Sequence, residues 1–290
     1  MTKTMTIILM LSYAALAQNK KQPGVQWKFD TDYFDAVNHW VVLPKNEADS
    51  IYQYGYVYLN VDAGFTFVLE NTFNKSFEDI HSGTPKHYII QRQFNKYDRK
   101  VYVMKAEDVE YLGLPEKPEW LKIYDANWET AEDLSKRGFR YNAVGCYKSA
   151  IPLFEKAYKL DAHFQHLEHQ LAYAYNATMQ FEKAMTLLIK AIKYSPGDCM
   201  LYRELGFALI KSDLYDDAER IYEFQIPFCN DKAQQSEMCL DMLQTFFRLN
   251  NKSKFDKWSN VAKQYAQSGS TALKYIDTYE KNMSRKESKK

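Results

Sequence analysis

Residues 131–164 read AEDLSKRGFRYNAVGCYKSAIPLFEKAYKLDAHF, residues 165–198 read QHLEHQLAYAYNATMQFEKAMTLLIKAIKYSPGD, and residues 199–232 read CMLYRELGFALIKSDLYDDAERIYEFQIPFCNDK. Set one above another, the three segments are of equal length and repeat in register. Ala150, Ala184 and Ala218 coincide, with Gly138, Ala172 and Gly206 together in a column before them. Tyr147, Phe181 and Tyr215 stand just ahead of the alanines, and Phe154, Leu188 and Tyr222 just behind. Ala157 and Ala191 follow in one more column, where the third segment departs with Gln225. Small residues at two offsets let a pair of helices approach closely, and the large ones between them fill the space above and below. One such hairpin cannot bury its apolar side alone, so the units must stack on one another.

The order Gly138-Tyr141-Tyr147-Ala150-Phe154-Ala157, followed by Leu171-Ala172-Tyr175-Phe181-Ala184-Ala191-Pro196, resembles the tetratricopeptide repeat family. The resemblance implies an all-α superhelix over 128–267, with units 131–164, 165–198 and 199–232 and a degenerate fourth at 239–267. Punctuation agrees: Thr130-Ala-Glu-Asp133 reads as a capping box, and Pro196-Gly197-Asp198 ends one helix and caps the next. In the fourth unit Phe255 and Ala262 fit the pattern, with Trp258 in the alanine's place after an insertion near 233–238. Residues 270–284 read as an amphipathic capping helix with Leu273, Ile276 and Tyr279 on one side, and 285–290 as a charged tail.

The chain before the repeats has another grain, so the fold class expected is α+β. Lys3, the apolar run from Ile7 to Leu16 and the small residues around Ala17 read as a cleavable signal peptide over 1–17, cut after Ala17. That implies an exported protein, periplasmic or secreted, with no stable membrane insertion afterwards. Residues 25–124 read as a small β-rich domain of no recognised family. His39–Pro44 is a strand, Ile51–Val61 alternates with Tyr52, Tyr54, Tyr56 and Tyr58 on one side, and Phe65–Leu69 follows an Asp62-Ala63-Gly64 turn. Tyr88–Phe94 and Val101–Met104 read as a further hairpin. At strand spacing the tyrosine row fits a face packed on another layer better than a sugar or peptide platform. Trp120 and Trp128 are candidates for a seam with the repeats.

The resemblance also implies a binding surface, because in that family the first helix of each hairpin lines a groove. Its ninth positions here are Phe139, Tyr173, Phe207 and Phe247, and its twelfth are Asn142, Asn176, Ile210 and Asn250. The aromatics fit a peptide cradle and the inside of a superhelix equally well, while the asparagines fit the cradle, since a carboxamide both donates to and accepts from an extended backbone. The family's carboxylate clamp is absent: Ser135, Phe139, Gln170, Met200 and Glu204 occupy its places, leaving Arg203 as one cation. His166 and His169 would share a helix side near His163, but they match no zinc-protease motif, and polar contacts to a ligand suit them better than a metal.

Other chemistry finds little purchase. Cys146, Cys199, Cys229 and Cys239 form no metal spacing, and buried free thiols are favoured over a Cys199–Cys229 bridge. No glycine-rich phosphate loop or nucleophile elbow occurs among the 10 glycines. A net charge of +1 makes no electrostatic case for nucleic acid. The reading is a non-enzymatic adaptor or scaffold of the cell envelope, without cofactor or metal, that binds a protein or peptide through the repeat groove. The alternatives are that the β-rich domain is the ligand-binding (glycan) or catalytic unit with the repeats as its mount, or that the role is purely structural.

Overall fold

The structure, a computed structural model, describes residues 27–45, 51–80, 91–94, 100–124, 130–266 and 270–288. The expected signal peptide and Trp128 lie outside those residues. The chain divides between Glu129 and Thr130 into two compact units.

The first unit is built on an antiparallel sheet. β1 (His39–Leu43), β2 (Tyr52–Asn60), β3 (Gly64–Phe73), β4 (Gln91–Gln93) and β5 (Tyr102–Val103) lie in the order β4-β3-β2-β1-β5. The β2–β3 turn closes on Asn60, whose Oδ1 accepts from the amides of Asp62 and Ala63, both at 2.9 Å, and Gly64 takes φ 90°. The sequence suggests that the last two strands pair with each other; instead they occupy opposite edges. β4 lies along Thr66–Val68 of β3, and β5 along Val41 and Val42 of β1. Alternation specifies a strand and its inward side but not its partner, and both edges of the β1–β2–β3 core offer an unpaired ladder.

The tyrosine row faces inward. Tyr54, Tyr56 and Tyr58 are buried with Trp40, Val42, Val68, Phe73 and Tyr102. Trp120 lies against Tyr58 at 5.4 Å and Tyr56 at 6.1 Å, so it serves the core of its own unit. Each aromatic ring buried this way contributes on the order of 2 kcal/mol. The other side of the sheet is covered too, with Val57, Phe65 and Phe67 buried near Tyr33 and Phe94. A short helix, α1 (Ala106–Tyr111), is fixed by the buried Asp108, which accepts from the Lys105 amide at 2.9 Å and from Tyr102 Oη at 2.7 Å.

The second unit is a tetratricopeptide-like array of four helix pairs and a final helix: α2 (Ala131–Ala143) and α3 (Tyr147–Leu160), α4 (Leu167–Ala177) and α5 (Phe181–Tyr194), α6 (Cys199–Lys211) and α7 (Tyr215–Gln225), α8 (Lys232–Arg248) and α9 (Lys252–Tyr265), then α10 (Thr271–Glu287). Side-chain caps start several of them: Thr130, Asp198, Asp231, Asn251 and Ser270 each accept from an amide of the first turn. Ala150, Ala184 and Ala218 are fully buried where the paired helices cross. The first helices α2, α4, α6 and α8 pack on one another in succession, whereas successive second helices make no comparably close approach. That asymmetry puts the first helices on the inside of a curved array.

The turn inside each pair needs one left-handed residue. Gly145 (φ 79°), Met179 (φ 60°), Asp213 (φ 62°) and Asn250 (φ 54°) fill that place. This marker corrects the reading of the fourth pair. α8 begins at Lys232 and runs 17 residues where α6 has 13, so the extra residues form additional helical turn rather than an insertion before Cys239. At one fixed step past the left-handed residue stand Ala150, Ala184, Ala218 and then Phe255, so Phe255 and not Trp258 takes the alanine's place. Trp258 is buried differently, donating from Nε1 to Glu219 Oε1 at 2.9 Å on the neighbouring α7.

Cys199 at the start of α6 is bonded to Cys229 just past α7, with Cα atoms 5.5 Å apart. The expectation of four free thiols fails because the hairpin returns Cys229 to the end of the unit where it began. Cys146 and Cys239 keep their thiols outside any disulfide, the latter fully buried.

Candidate functional site

The inner helices present their residues in rows, and the rows separate into structural and exposed members. Asn142 and Asn176 belong to the structure. Asn142 Nδ2 donates to the Gln170 carbonyl at 3.0 Å and to Gln170 Oε1 at 3.1 Å. Asn176 Nδ2 does the same one repeat later, to the Glu204 carbonyl at 3.0 Å and Glu204 Oε2 at 2.8 Å. Both are nearly buried, so these amides join consecutive first helices instead of facing a ligand. A carboxamide matches a neighbouring helix as well as it matches a peptide, and the sequence does not distinguish the two. The signal that identifies the join is the recurrence of a polar pair at one fixed separation, Asn142 with Gln170 and Asn176 with Glu204. At the next step the corresponding residues, Ile210 and Met238, are both buried and apolar.

Asn250 is no groove residue either. It is the left-handed turn residue of the fourth pair, and Phe247, one helical turn before it, continues the Asn142–Asn176–Ile210 row. By the same count Gln244 continues the row of Phe139, Tyr173 and Phe207. Phe139 is 47% exposed. Tyr173 is half-buried, edge-on to Tyr147 at 5.6 Å with the two hydroxyls 3.3 Å apart. Phe207 is half-buried under Lys211, whose ammonium sits 5.1 Å from the ring centre. Phe247 packs edge-on to Tyr279 of α10 at 5.0 Å, with Lys286 at 3.7 Å over its face.

Arg203 is held in an acidic setting. Its guanidinium lies 3.4 Å from Glu204 and 2.8 Å from Glu237. Burial pushes the Glu204 carboxyl up, against the pull of Arg203 and the Asn176 hydrogen bond. Asp241, on α8, is raised to about 6 by burial, with Arg203 and Tyr222 acting the other way. Tyr222, fully buried, donates to the Arg203 carbonyl at 2.9 Å, with Asp241 Oδ2 at 3.2 Å. This acidic knot escapes a reading of the sequence because its members come from three helices and sit at different offsets.

The three histidines have three different settings. His163 stacks on Tyr194 at 3.5 Å and meets Glu168 at 3.3 Å. His166 is exposed, in a left-handed conformation at the start of α4. His169 is buried, and that burial lowers its pKa to about 4, leaving a neutral imidazole 3.9 Å from Glu204. Among the described residues no cluster of three or more His, Cys, Asp or Glu is placed to hold a metal ion.

Between α6, α8 and α10 the inner side opens into a hollow of roughly 330 Å³. Phe207, Ile210, Phe247 and Tyr279 give it apolar walls, with Lys211 and Arg248 as cations and Asp241 within. It is large enough for one or two side chains of an extended segment, and its walls suit an apolar one.

No family model matches this chain, and no curated protein matches it. Solved structures do. "Crystal structure of MamA" is 19% identical with a TM-score of 0.44, over 56% of this chain and 95% of that one. "MamA RS-1 ArsTM double mutant" is 15% identical at 0.42, over 55% and 83%. "MamA 41-end from Desulfovibrio magneticus RS-1" is 18% identical at 0.33, over 55% and 82%. Likeness at that level says nothing about what this chain binds. Among the described residues no helix is long and apolar enough to cross a membrane.

Proposed function

We propose that this protein is exported and works as a non-enzymatic adaptor, holding a segment of a partner protein against the inner side of its helical array. The observation that carries the reading is the row Phe139, Tyr173 and Phe207. These rings stand at one offset on three helices packed side by side, stay partly exposed, and lead to the hollow beside Phe207. Large rigid side chains bind at low entropy cost, and they are the usual anchors of protein interfaces. Export is supported by the Cys199–Cys229 bond, since disulfides persist in oxidising compartments.

Photo-cross-linking from position 244, on the wall of the same hollow, in the native cell, with the captured segment identified by mass spectrometry, tests the binding reading. Phe139→Ala with Phe207→Ala should abolish capture while helical circular dichroism is unchanged. Capture that survives this double variant but is lost on deleting residues 25–115 would hand the role to the β-rich unit. A mature chain that still begins at Met1 would refute cleavage after Ala17.

A further inference from the structure

The opposite side of the array carries a second groove with a chemistry of its own. α3 and α5 are held apart by α4, and the gap between them is a hollow of roughly 620 Å³. Its floor is apolar: Leu171, Tyr175 and Leu187, with Tyr158 at the side. Lys159, Lys183 and Lys190 stand around it. Glu155 is already occupied, accepting from Tyr175 Oη at 2.7 Å with Lys183 4.0 Å away. Among the described residues Lys159 and Lys190 have no ion-pair partner.

The three lysines around this groove stand with two carboxylates, Glu155 and Glu182, and among the described residues Lys159 and Lys190 are the cations left outside an ion pair. α3 and α5 together carry six lysines against two glutamates. Further along, α7 carries four carboxylates against one arginine, but there α9 reaches across: Lys254 pairs with Asp216 and Glu219, and Lys257 with Glu219 and Glu223. A chain with a net charge of only +1 thus places Lys159 and Lys190, neither in an ion pair among the described residues, on the outer side of its first two pairs.

We propose that the groove between α3 and α5 docks an acidic segment of a partner protein, one that carries apolar side chains between its carboxylates. Carboxylates would meet Lys159 and Lys190, and the apolar side chains would reach the recessed floor. A flat bilayer cannot enter a gap whose apolar part is the bottom, and a phosphate backbone has no group to bury against Leu171 and Leu187. Rim charges of this kind set association rate and salt dependence, while the buried floor sets residence time. This face is independent of the inner side, so the array can hold two partners at once.

The test uses the full chain and a fluorescent synthetic peptide in which glutamates flank leucine and phenylalanine, beside a second peptide with lysine in place of each glutamate. The glutamate peptide should bind and the lysine peptide should not. Lys159→Glu with Lys190→Glu should weaken binding at least about tenfold, as should raising salt from about 0.05 M to about 0.5 M. A photoreactive residue at Thr186 should cross-link the peptide and one at Lys211 should not, and Phe139→Ala with Phe207→Ala should leave the affinity unchanged, which separates this groove from the inner one. Equal binding of both peptides, full affinity in the charge-reversed variant, or binding to anionic phosphatidylglycerol vesicles or duplex DNA with the peptide ignored would each overturn the proposal.

Discussion

A β-carbon added to Gly206 would stand 2.0 Å from Cε1 of Tyr222, in hard overlap with the edge of its ring. Gly138 stands to Phe154 in the same way, at 2.6 Å from Cε1, and the two pairs share one sequence spacing. Gly206→Ala gains about 1 kcal/mol of helix propensity but must displace a fully buried ring whose hydroxyl is anchored, which costs about 2–3 kcal/mol more than that gain. The variant should melt several degrees lower by circular dichroism. A rise in Tm would show that propensity governs here and packing does not.

Met179 holds φ 60° with a β-carbon that this conformation penalises by about 1 kcal/mol. Its side chain is 77% exposed and so has little packing to lose. Met179→Gly is expected to raise Tm, while Gly145→Ala, at the same place one pair earlier, should lower it. Equal and opposite shifts in denaturant midpoint with unchanged slope would be the signature of a turn effect.

Glu219 supplies acid sensitivity. Burial pushes its carboxyl up, but hydrogen bonds from Lys254, Lys257 and Trp258 outweigh it and hold the pKa down at about 2. A depressed carboxylate stabilises the fold above its ordinary value of 4.5 and loses that contribution as pH falls toward 2. Glu219→Gln should therefore lower Tm at pH 7 and narrow its gap to the parent protein progressively between those two pH values. A gap that stays constant down to pH 2 would contradict the pairing.

Asp241 works in the other direction. Its pKa is raised to about 6 from an ordinary 3.8, so the ionised form is a burden on the folded state at neutral pH. Stability tied to this group is greatest below pH 4 and declines as pH rises through 6. Asp241→Asn keeps an acceptor for Tyr222 and should raise Tm by roughly 3 °C or more at pH 7.5, with little effect at pH 4. The reverse order would mean that Arg203 dominates Asp241.

The Cys199–Cys229 bond closes a loop of 30 residues around the third pair. Cys229→Ser or reduction should destabilise the array by about 3 kcal/mol, read as an earlier denaturant midpoint. Cys146→Ser should leave the response to reductant unchanged.

Legibility followed locality. The three repeat units and the strand character of His39–Leu43, Tyr52–Asn60 and Gly64–Phe73 are visible in the sequence, because period and alternation are properties of one element. What stays hidden depends on two elements meeting. Asn142 and Asn176 look like ligand contacts until Gln170 and Glu204 are seen on the next first helix. The edge strands look like a hairpin until β3 and β1 claim them. In the fourth pair, Cys239 looks like a beginning because the longer α8 shifts every later landmark, and only the left-handed Asn250 restores the count.

In the fourth pair bulk and space trade places: Phe255 occupies the alanine position, and Ser259 stands where Phe154, Leu188 and Tyr222 stood. The joint ahead of α8 is therefore keyed. A duplicate of residues 165–198 spliced in after Asp198 would find a matching neighbour on either flank, so the row can be lengthened there. Spliced in after α9 it would have to displace α10, whose Glu280 accepts from Ser259, so the far end of the described array is closed by its own side chains.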